Sequence, residues 1–384
     1  MSGAMRVAGA HHSSDVSVPL VDLAIQHAEV AEEIEDAWTD ILQRSAFVLG
    51  GEVQAFERSF AQYCGVQHCI GVGNGTDALE MALRAEGVGA GDEVVVPTNS
   101  FVASAAAVAR AGATPVLADV DPHTLLLDVD HASARVTRRT RAIIAVDLFG
   151  QPAPIEEIRP LLGDRGIVIE DAAQSHGARR QGASAGSLAA VAATSFYPGK
   201  NLGAYGDAGS VLTDDDEVAV RVRNLRNHGG ERKYEHHDLG FNSRMDTLQA
   251  AVLSAKLRHL DAWTEDRRRA AARYVELLGD APTIQLPSVL PGNEHAWHLF
   301  VVRIPRRDEV LHRLDAAGIG AGIHYPTPIH MLGAFRHLGH EIGDFPVAEA
   351  AAREILSLPI FPGITEEQQA HVAASLRVAV SDVR

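Results

Sequence analysis

Ile70-Gly71-Val72-Gly73-Asn74-Gly75-Thr76-Asp77, followed by the helical pattern 78–85, reads as a buried strand, a glycine-rich turn and a helix start. Backbone N–H groups at a helix start have no partner within the helix and carry partial positive charge, which suits a phosphate. Gly75 permits close approach of the backbone, and Thr76 adds a hydroxyl donor. The structural alternative is a plain capped helix with Thr76 or Asp77 as N-cap. A dinucleotide loop is discounted, because the position three after Gly73 is Thr76 and the G-x-G-x-x-G spacing fails.

Downstream, apolar runs at 94–96, 115–118, 142–146, 167–169, 189–194 and 208–213 read as strands. They alternate with helical patterns at 103–110, 155–162 and 218–226, which predicts an α/β fold with a mainly parallel central sheet flanked by helices. Ligands of such sheets lie beyond the carboxyl ends of the strands. Upstream, 29–43 and 53–64 have helical character, and 246–278 is a long helical stretch with one bend. That stretch sets the expected boundary between a large domain, 19–260, and a smaller C-terminal α+β domain, 261–384. The smaller domain is expected to hold strands at 299–304 and 320–324 and helices at 308–317 and 347–356, while the small, polar segment 1–18 is expected to be disordered.

At 384 residues the chain can bury one large core and a second, smaller one. A formal net charge of -16 argues against a nucleic-acid partner. No apolar run reaches the roughly 18 residues of a membrane span, and the N-terminus lacks a signal pattern. Cys64 and Cys69, the only cysteines, fit reduced thiols in a cytoplasmic protein. No histidine pair has helical ligand spacing with a supporting carboxylate, so no metal site is expected.

Two residues carry the expected chemistry. Asp171 follows the apolar run Ile167-Val168-Ile169 and is either a helix cap or a working carboxylate at a strand end. Lys200 sits in the Pro-Gly turn of Ser195-Phe196-Tyr197-Pro198-Gly199-Lys200-Asn201-Leu202-Gly203-Ala204; a buried amine there would lose its proton and become a nucleophile, whereas an exposed one would be an ordinary loop lysine. The glycine-, histidine- and base-rich segment 227–244 reads as an extended loop facing a phosphate, an interface or solvent.

In this order and spacing, several motifs resemble those of the DegT-like sugar aminotransferases, fold-type I pyridoxal-phosphate (PLP) enzymes. They are Gly73-Asn74-Gly75-Thr76-Asp77-Ala78-Leu79, Glu170-Asp171-Ala172-Ala173-Gln174, Ser195-Phe196 through Lys200-Asn201-Leu202-Gly203, Asn242-Ser243-Arg244 with Gln249-Ala250-Ala251, and His324-Tyr325-Pro326. The likeness runs from about Pro19 to Pro362. It implies that Lys200 carries PLP and shuttles the proton, and that Asp171 pairs with the protonated ring nitrogen. It further implies that Gly75, Thr76 and Ser195 hold the phosphate, that Phe101 stacks on the ring and that Gln174 reaches its phenolic oxygen. Asn242 would come from the neighbouring subunit of a homodimer with shared active sites, and Lys233, Tyr234, His324 and Tyr325 would meet a nucleotide-linked sugar. The expected reaction moves an amino group from L-glutamate to C3 of a dTDP-linked 3-keto-6-deoxyhexose. The alternatives are a 4-keto or UDP-linked sugar, the dehydratase variant that has histidine in place of Lys200, and a non-catalytic regulatory protein on the same fold.

Overall fold

Seven strands form the central sheet of this computed structural model, which describes residues 17–230 and 234–382. In chain order the strands are β1 (His68–Val72), β2 (Glu93–Pro97), β3 (Thr114–Ala118), β4 (Thr140–Val146), β5 (Ile167–Asp171), β6 (Arg179–Arg180), β7 (Ala183–Ser184), β8 (Val191–Ser195), β9 (Gly209–Thr213), β10 (Asn293–Glu294), β11 (Phe300–Arg303) and β12 (Ile355–Leu358). The central sheet runs β1-β9-β8-β5-β4-β2-β3. All its pairs from β8 to β3 are parallel, and β9 alone runs against its neighbours β1 and β8.

The strands read as unbroken apolar runs because both faces of the sheet are covered. Val94, Val96, Ile144 and Ile169 point into one core, together with the helix Gly75–Ala85. Val95, Ile143, Ala145 and Val168 point into another on the opposite face. This is the two-residue alternation of a strand, with both phases apolar. The alanine-rich helix Val102–Ala111 lies against Gly75–Ala85.

The C-terminal part pairs β11 with β12 against the helices Leu260–Leu278, Arg307–Ala316 and Glu366–Asp382. Arg267 is fully buried there, and its Nη1 donates to the carbonyl oxygens of Trp297 (3.2 Å) and Ile360 (3.0 Å). Leu299, Val301, Phe345 and Ile355 enter the same core as the central sheet. Asp119, beyond β3, caps the helix Pro346–Glu354: its carboxylate accepts from the N–H groups of Val347 (3.0 Å) and Ala348 (2.9 Å).

Some expected elements differ. The helix expected over 155–162 is one α-turn, Ile155–Ile158, followed by 3-10 turns through Arg165, since Pro160 supplies no N–H. The segment 320–324 is no strand; it makes a single bridge from Gly322 to Ser357, and Ile319 just before it bridges Val18. The helical pattern at 347–356 ends at Glu354, and its last residues open β12. The bend in 246–278 falls at Arg258-His259, between the helices Thr247–Leu257 and Leu260–Leu278.

Replacing Asp119 by Ala should leave two helix-start N–H groups without a partner and cost about 1–2 kcal/mol, while Asp119→Asn should recover part of the loss. Urea unfolding followed by circular dichroism measures both; equal stability of Asp119→Ala and the parent would remove the cap from the account.

Candidate active site

The glycine turn after β1 is wedged between the ends of two neighbouring strands. A Cβ on Gly75 would lie 2.5 Å from the Ser195 Cβ, and one on Gly209 would lie 2.5 Å from the Asn74 carbonyl carbon. Only glycine fits either position. The helix start is thereby pressed against the hydroxyl-bearing end of β8. Its cap is Asn74, not Thr76 or Asp77: Asn74 Oδ1 accepts from the Asp77 N–H (2.8 Å) and its Nδ2 donates to Asp77 Oδ2 (3.0 Å). With Asn74 in that role, Thr76 is spared from capping. Gly75 and Thr76 at the helix start and Ser195 packed against Gly75 are none of them fully buried, and their N–H and O–H groups are of the kind suited to a phosphate. Ser243 braces the turn from behind, its Oγ accepting from the Gly73 N–H at 3.0 Å.

Asp171 ends β5 and caps no helix. It is buried, and burial pushes its carboxyl above the usual range. Three features work against that shift: the Ser104 hydroxyl donates to Oδ2 (2.9 Å), the Ala173 N–H donates to Oδ1 (3.3 Å), and the Lys200 charge is near. Lys200 is partly buried, and desolvation lowers its amine to about 8, with Asp171 pulling the other way. Carboxylate and amine thus sense one another across the sheet's carboxyl edge, and each favours the other's charged form.

Above them lies an aromatic platform. The Phe101 and Tyr325 rings sit 5.4 Å apart, and Phe101 is half exposed. Gln174 Nε2 donates to the Tyr325 hydroxyl (3.0 Å), while its Oε1 accepts from the Phe149 N–H (2.5 Å). Burial, then the Asp171 charge, push the Tyr325 phenol up to about 12, so it stays protonated. His324 Nδ1 bonds Ser357 Oγ at 2.8 Å, and burial with nearby Lys200 lowers its pKa.

Asn242 and Tyr234 are on the extended loop. Asn242 is exposed, and its Oδ1 accepts from Arg244 Nη2 at 2.5 Å. Tyr234 is strongly exposed, at positive φ of 70°. Lys233 lies outside the described residues.

Sequence reasoning missed Ser104, which sits within an alanine-rich helix with nothing local to mark it. It also assigned no role to four groups buried near Lys200 and Asp171. His176 Nε2 bonds Thr194 Oγ1 (2.8 Å), and burial together with Lys200 lowers it to about 3, so the imidazole is neutral. His298 Nδ1 bonds Asn201 Oδ1 (3.2 Å) beside the lysine turn. Asp147 and Glu170 are wholly buried next to each other, and burial pushes both carboxyls up, Asp147 further because of the Glu170 charge. Asp147 also accepts from the Ser175 hydroxyl (2.7 Å), which steadies the turn that presents Gln174.

A donor-bearing helix start closed to any Cβ at Gly75, a buried carboxylate, and an amine that loses its proton near neutral pH fit the phosphate, ring nitrogen and aldehyde carbon of pyridoxal phosphate. Among the described residues no group of three or more His, Cys, Asp or Glu could hold a metal ion, and no helix is long and apolar enough to cross a membrane.

The sequence pattern of the DegT/DnrJ/EryC1/StrS aminotransferase family matches residues 28–377. The chain is 45% identical to a "pleiotropic regulatory protein" of Geobacillus stearothermophilus, over 94% of this chain and 98% of that one. It is also 45% identical to the dTDP-3-amino-3,4,6-trideoxy-alpha-D-glucose transaminase of Streptomyces venezuelae, over 94% of this chain and 95% of that one. The crystal structure of S. venezuelae DesV in complex with a ketimine intermediate matches with a TM-score of 0.92 and 44% identity, covering 94% and 98% of the two chains.

In the cofactor-free chain, labelling of Lys200 by an amine-reactive reagent should rise with a midpoint near pH 8 and level off above it. The sign follows from burial, which favours the neutral amine and so brings the reactive form in at lower pH. Site-resolved mass spectrometry reads the profile, and a midpoint near the ordinary lysine value of 10.5 would show an unperturbed loop lysine.

Proposed function

The chain belongs to the DegT/DnrJ/EryC1/StrS aminotransferase family, and on that premise we propose that it uses pyridoxal 5'-phosphate to move an amino group from L-glutamate to C3 of a dTDP-linked 3-keto-6-deoxyhexose. The observation that carries this reading is Lys200 close enough to the buried carboxylate of Asp171 for the charge of each to act on the other, with Gly75 packed on Ser195 at the end of β8. Pyridoxal phosphate, when bound, supplies an electron sink for the electrons left behind as a proton leaves carbon.

The protein does the rest. Gly75, Thr76 and Ser195 would hold the phosphate. Asp171, whose carboxyl is raised by burial and brought back in part by the Ser104 hydroxyl and the Ala173 N–H, would hold a protonated ring nitrogen. Lys200, with its amine near 8, can take a proton from the donor's carbon and return one to the sugar's carbon close to neutral pH. Phe101 and Tyr325 would cover the ring and exclude water, and Gln174 would act on its phenolic oxygen while tethered to Tyr325. His324, Tyr325, Lys233 and Tyr234 are assigned to the nucleotide sugar.

Arg244 donates to two amide oxygens, of Asn242 and Asn227, and pairs with no carboxylate among the described residues. That leaves its charge for the donor's carboxylate. Asn242, exposed on the loop, is assigned to the phosphate of a neighbouring subunit, which makes the working unit a homodimer in the cytoplasm.

A non-catalytic regulatory role is the second reading, favoured by the name of the G. stearothermophilus relative. The lowered Lys200 amine beside Asp171 speaks against it, because a strongly shifted amine paired with a carboxylate at a strand end is the arrangement of a working site. The dehydratase reading fails on the same residue.

Purified protein with the cofactor and L-glutamate should aminate a dTDP-linked 3-keto-6-deoxyhexose with kcat/KM at least about tenfold above that for 4-keto or UDP-linked sugars, a difference of about 1.4 kcal/mol. Lys200→Ala should give no product while unfolding like the parent, and full activity in that variant would overturn the reading. Asp171→Asn should still bind the cofactor but slow turnover by about 100-fold or more; an unchanged rate would remove Asp171 from its role.

A further inference from the structure

The turn that presents Lys200 is a closed loop. Its ends are tied by the Ala204 N–H donating to the Phe196 carbonyl oxygen at 2.8 Å, and the Lys200 N–H donates to the Tyr197 carbonyl at 2.8 Å. Inside the loop Gly203 lies so near Pro198 that a Cβ would fall 2.3 Å from its carbonyl oxygen. One flank is fixed by Asn201, whose Nδ2 donates to the Ala296 carbonyl at 3.0 Å.

The other flank rests on a second buried lysine, in the helix Thr247–Leu257. Lys256 is only 3% exposed, and its Nζ donates to the Gly203 carbonyl oxygen at 2.8 Å and sits 4.4 Å from the centre of the Tyr205 ring. No carboxylate pairs with it among the described residues, and no other donor reaches the buried Gly203 carbonyl among them. Tyr205 is held in turn by Gln249 Oε1, which accepts its N–H at 2.8 Å, and by His27, whose Nδ1 meets its hydroxyl at 2.6 Å. Gln249 and Lys256 are two helical turns apart and so share one face of their helix.

A buried amine without an acid partner is a poor way to fill a core. Methionine or leucine would fill the same buried position at less cost in desolvation. Desolvation lowers the Lys256 amine to about 8, which records that cost. What the amine does that an apolar side chain cannot is bond a carbonyl three residues beyond Lys200 and lie against the face of Tyr205.

We propose that Lys256 is a positioning residue for Lys200: its amine, held between the Gly203 carbonyl oxygen and the Tyr205 ring, fixes the 196–204 turn and so the path by which Lys200 enters the site. The inference rests on the reading of Lys200 as the working lysine, but it concerns the shape of the turn and is tested without turnover.

The test compares Lys256→Met, Lys256→Arg and the parent by hydrogen exchange of the cofactor-free protein, with the central strands β2 and β4 as the control for global folding. In Lys256→Met the Lys200 and Ala204 amides should exchange roughly tenfold faster or more, the factor expected for losing one charge-assisted hydrogen bond, while β2 and β4 stay protected. The pH midpoint of Lys200 labelling should move away from about 8. Lys256→Arg, which keeps a cationic donor, should return both readouts most of the way to the parent. Unchanged exchange and midpoint in Lys256→Met would overturn the proposal, as would a rise spread equally over the control strands. Retained turnover in Lys200→Ala with a loosened turn in Lys256→Met would instead sink the reading of Lys200 and leave the anchoring intact.

Discussion

The structure depends on two opposite charges that burial disfavours, Asp171 and Lys200, held near enough for each to support the other. Burial raises the carboxyl and lowers the amine, and the charge of each works against the other's shift. Ser104 and the Ala173 N–H on the carboxylate, with the Lys200 charge near it, draw the Asp171 carboxyl back toward its ordinary range, and the Lys200 amine is left at about 8. The parallel sheet makes this possible. Its strands are covered on both faces, so only their carboxyl ends open to a ligand, and β5 delivers Asp171 at such an end.

Much of this was legible in the sequence because it is written locally. Unbroken apolar runs such as Val94-Val95-Val96 announce strands covered on both sides, and an acid just past Ile167-Val168-Ile169 must sit at a strand end. The Gly75 turn and the lysine turn carry their constraints in their own glycines. What escaped was whatever depends on distant partners. Ser104 meets Asp171 across 67 positions, Asp147 meets Ser175 across 28, and Lys256 meets Gly203 across 53. β12 was hidden because it begins within a helical pattern and becomes a strand only by pairing with β11. Asn74 took the cap expected of Thr76 or Asp77 because an asparagine side chain one residue before the helix reaches the N–H three positions on.

The site is costly to fold, and the costs fall in one region. Two lysines are lowered to about 8, a histidine is held neutral with a pKa near 3, and two carboxyls are buried side by side around the sheet's carboxyl edge. Each is less stable than an apolar replacement of like volume. The two large cores offset this from elsewhere in the chain. Strain gathered around one pair of groups is the pattern of a working site more than of a binding scaffold.

The most direct test of the central claim is the absorbance spectrum of the purified protein with pyridoxal phosphate, recorded before and after L-glutamate. The account predicts a visible band from cofactor bound to Lys200, which falls when glutamate is added and is missing from Lys200→Ala. A protein that shows no such band, or one whose band glutamate leaves untouched, would contradict it.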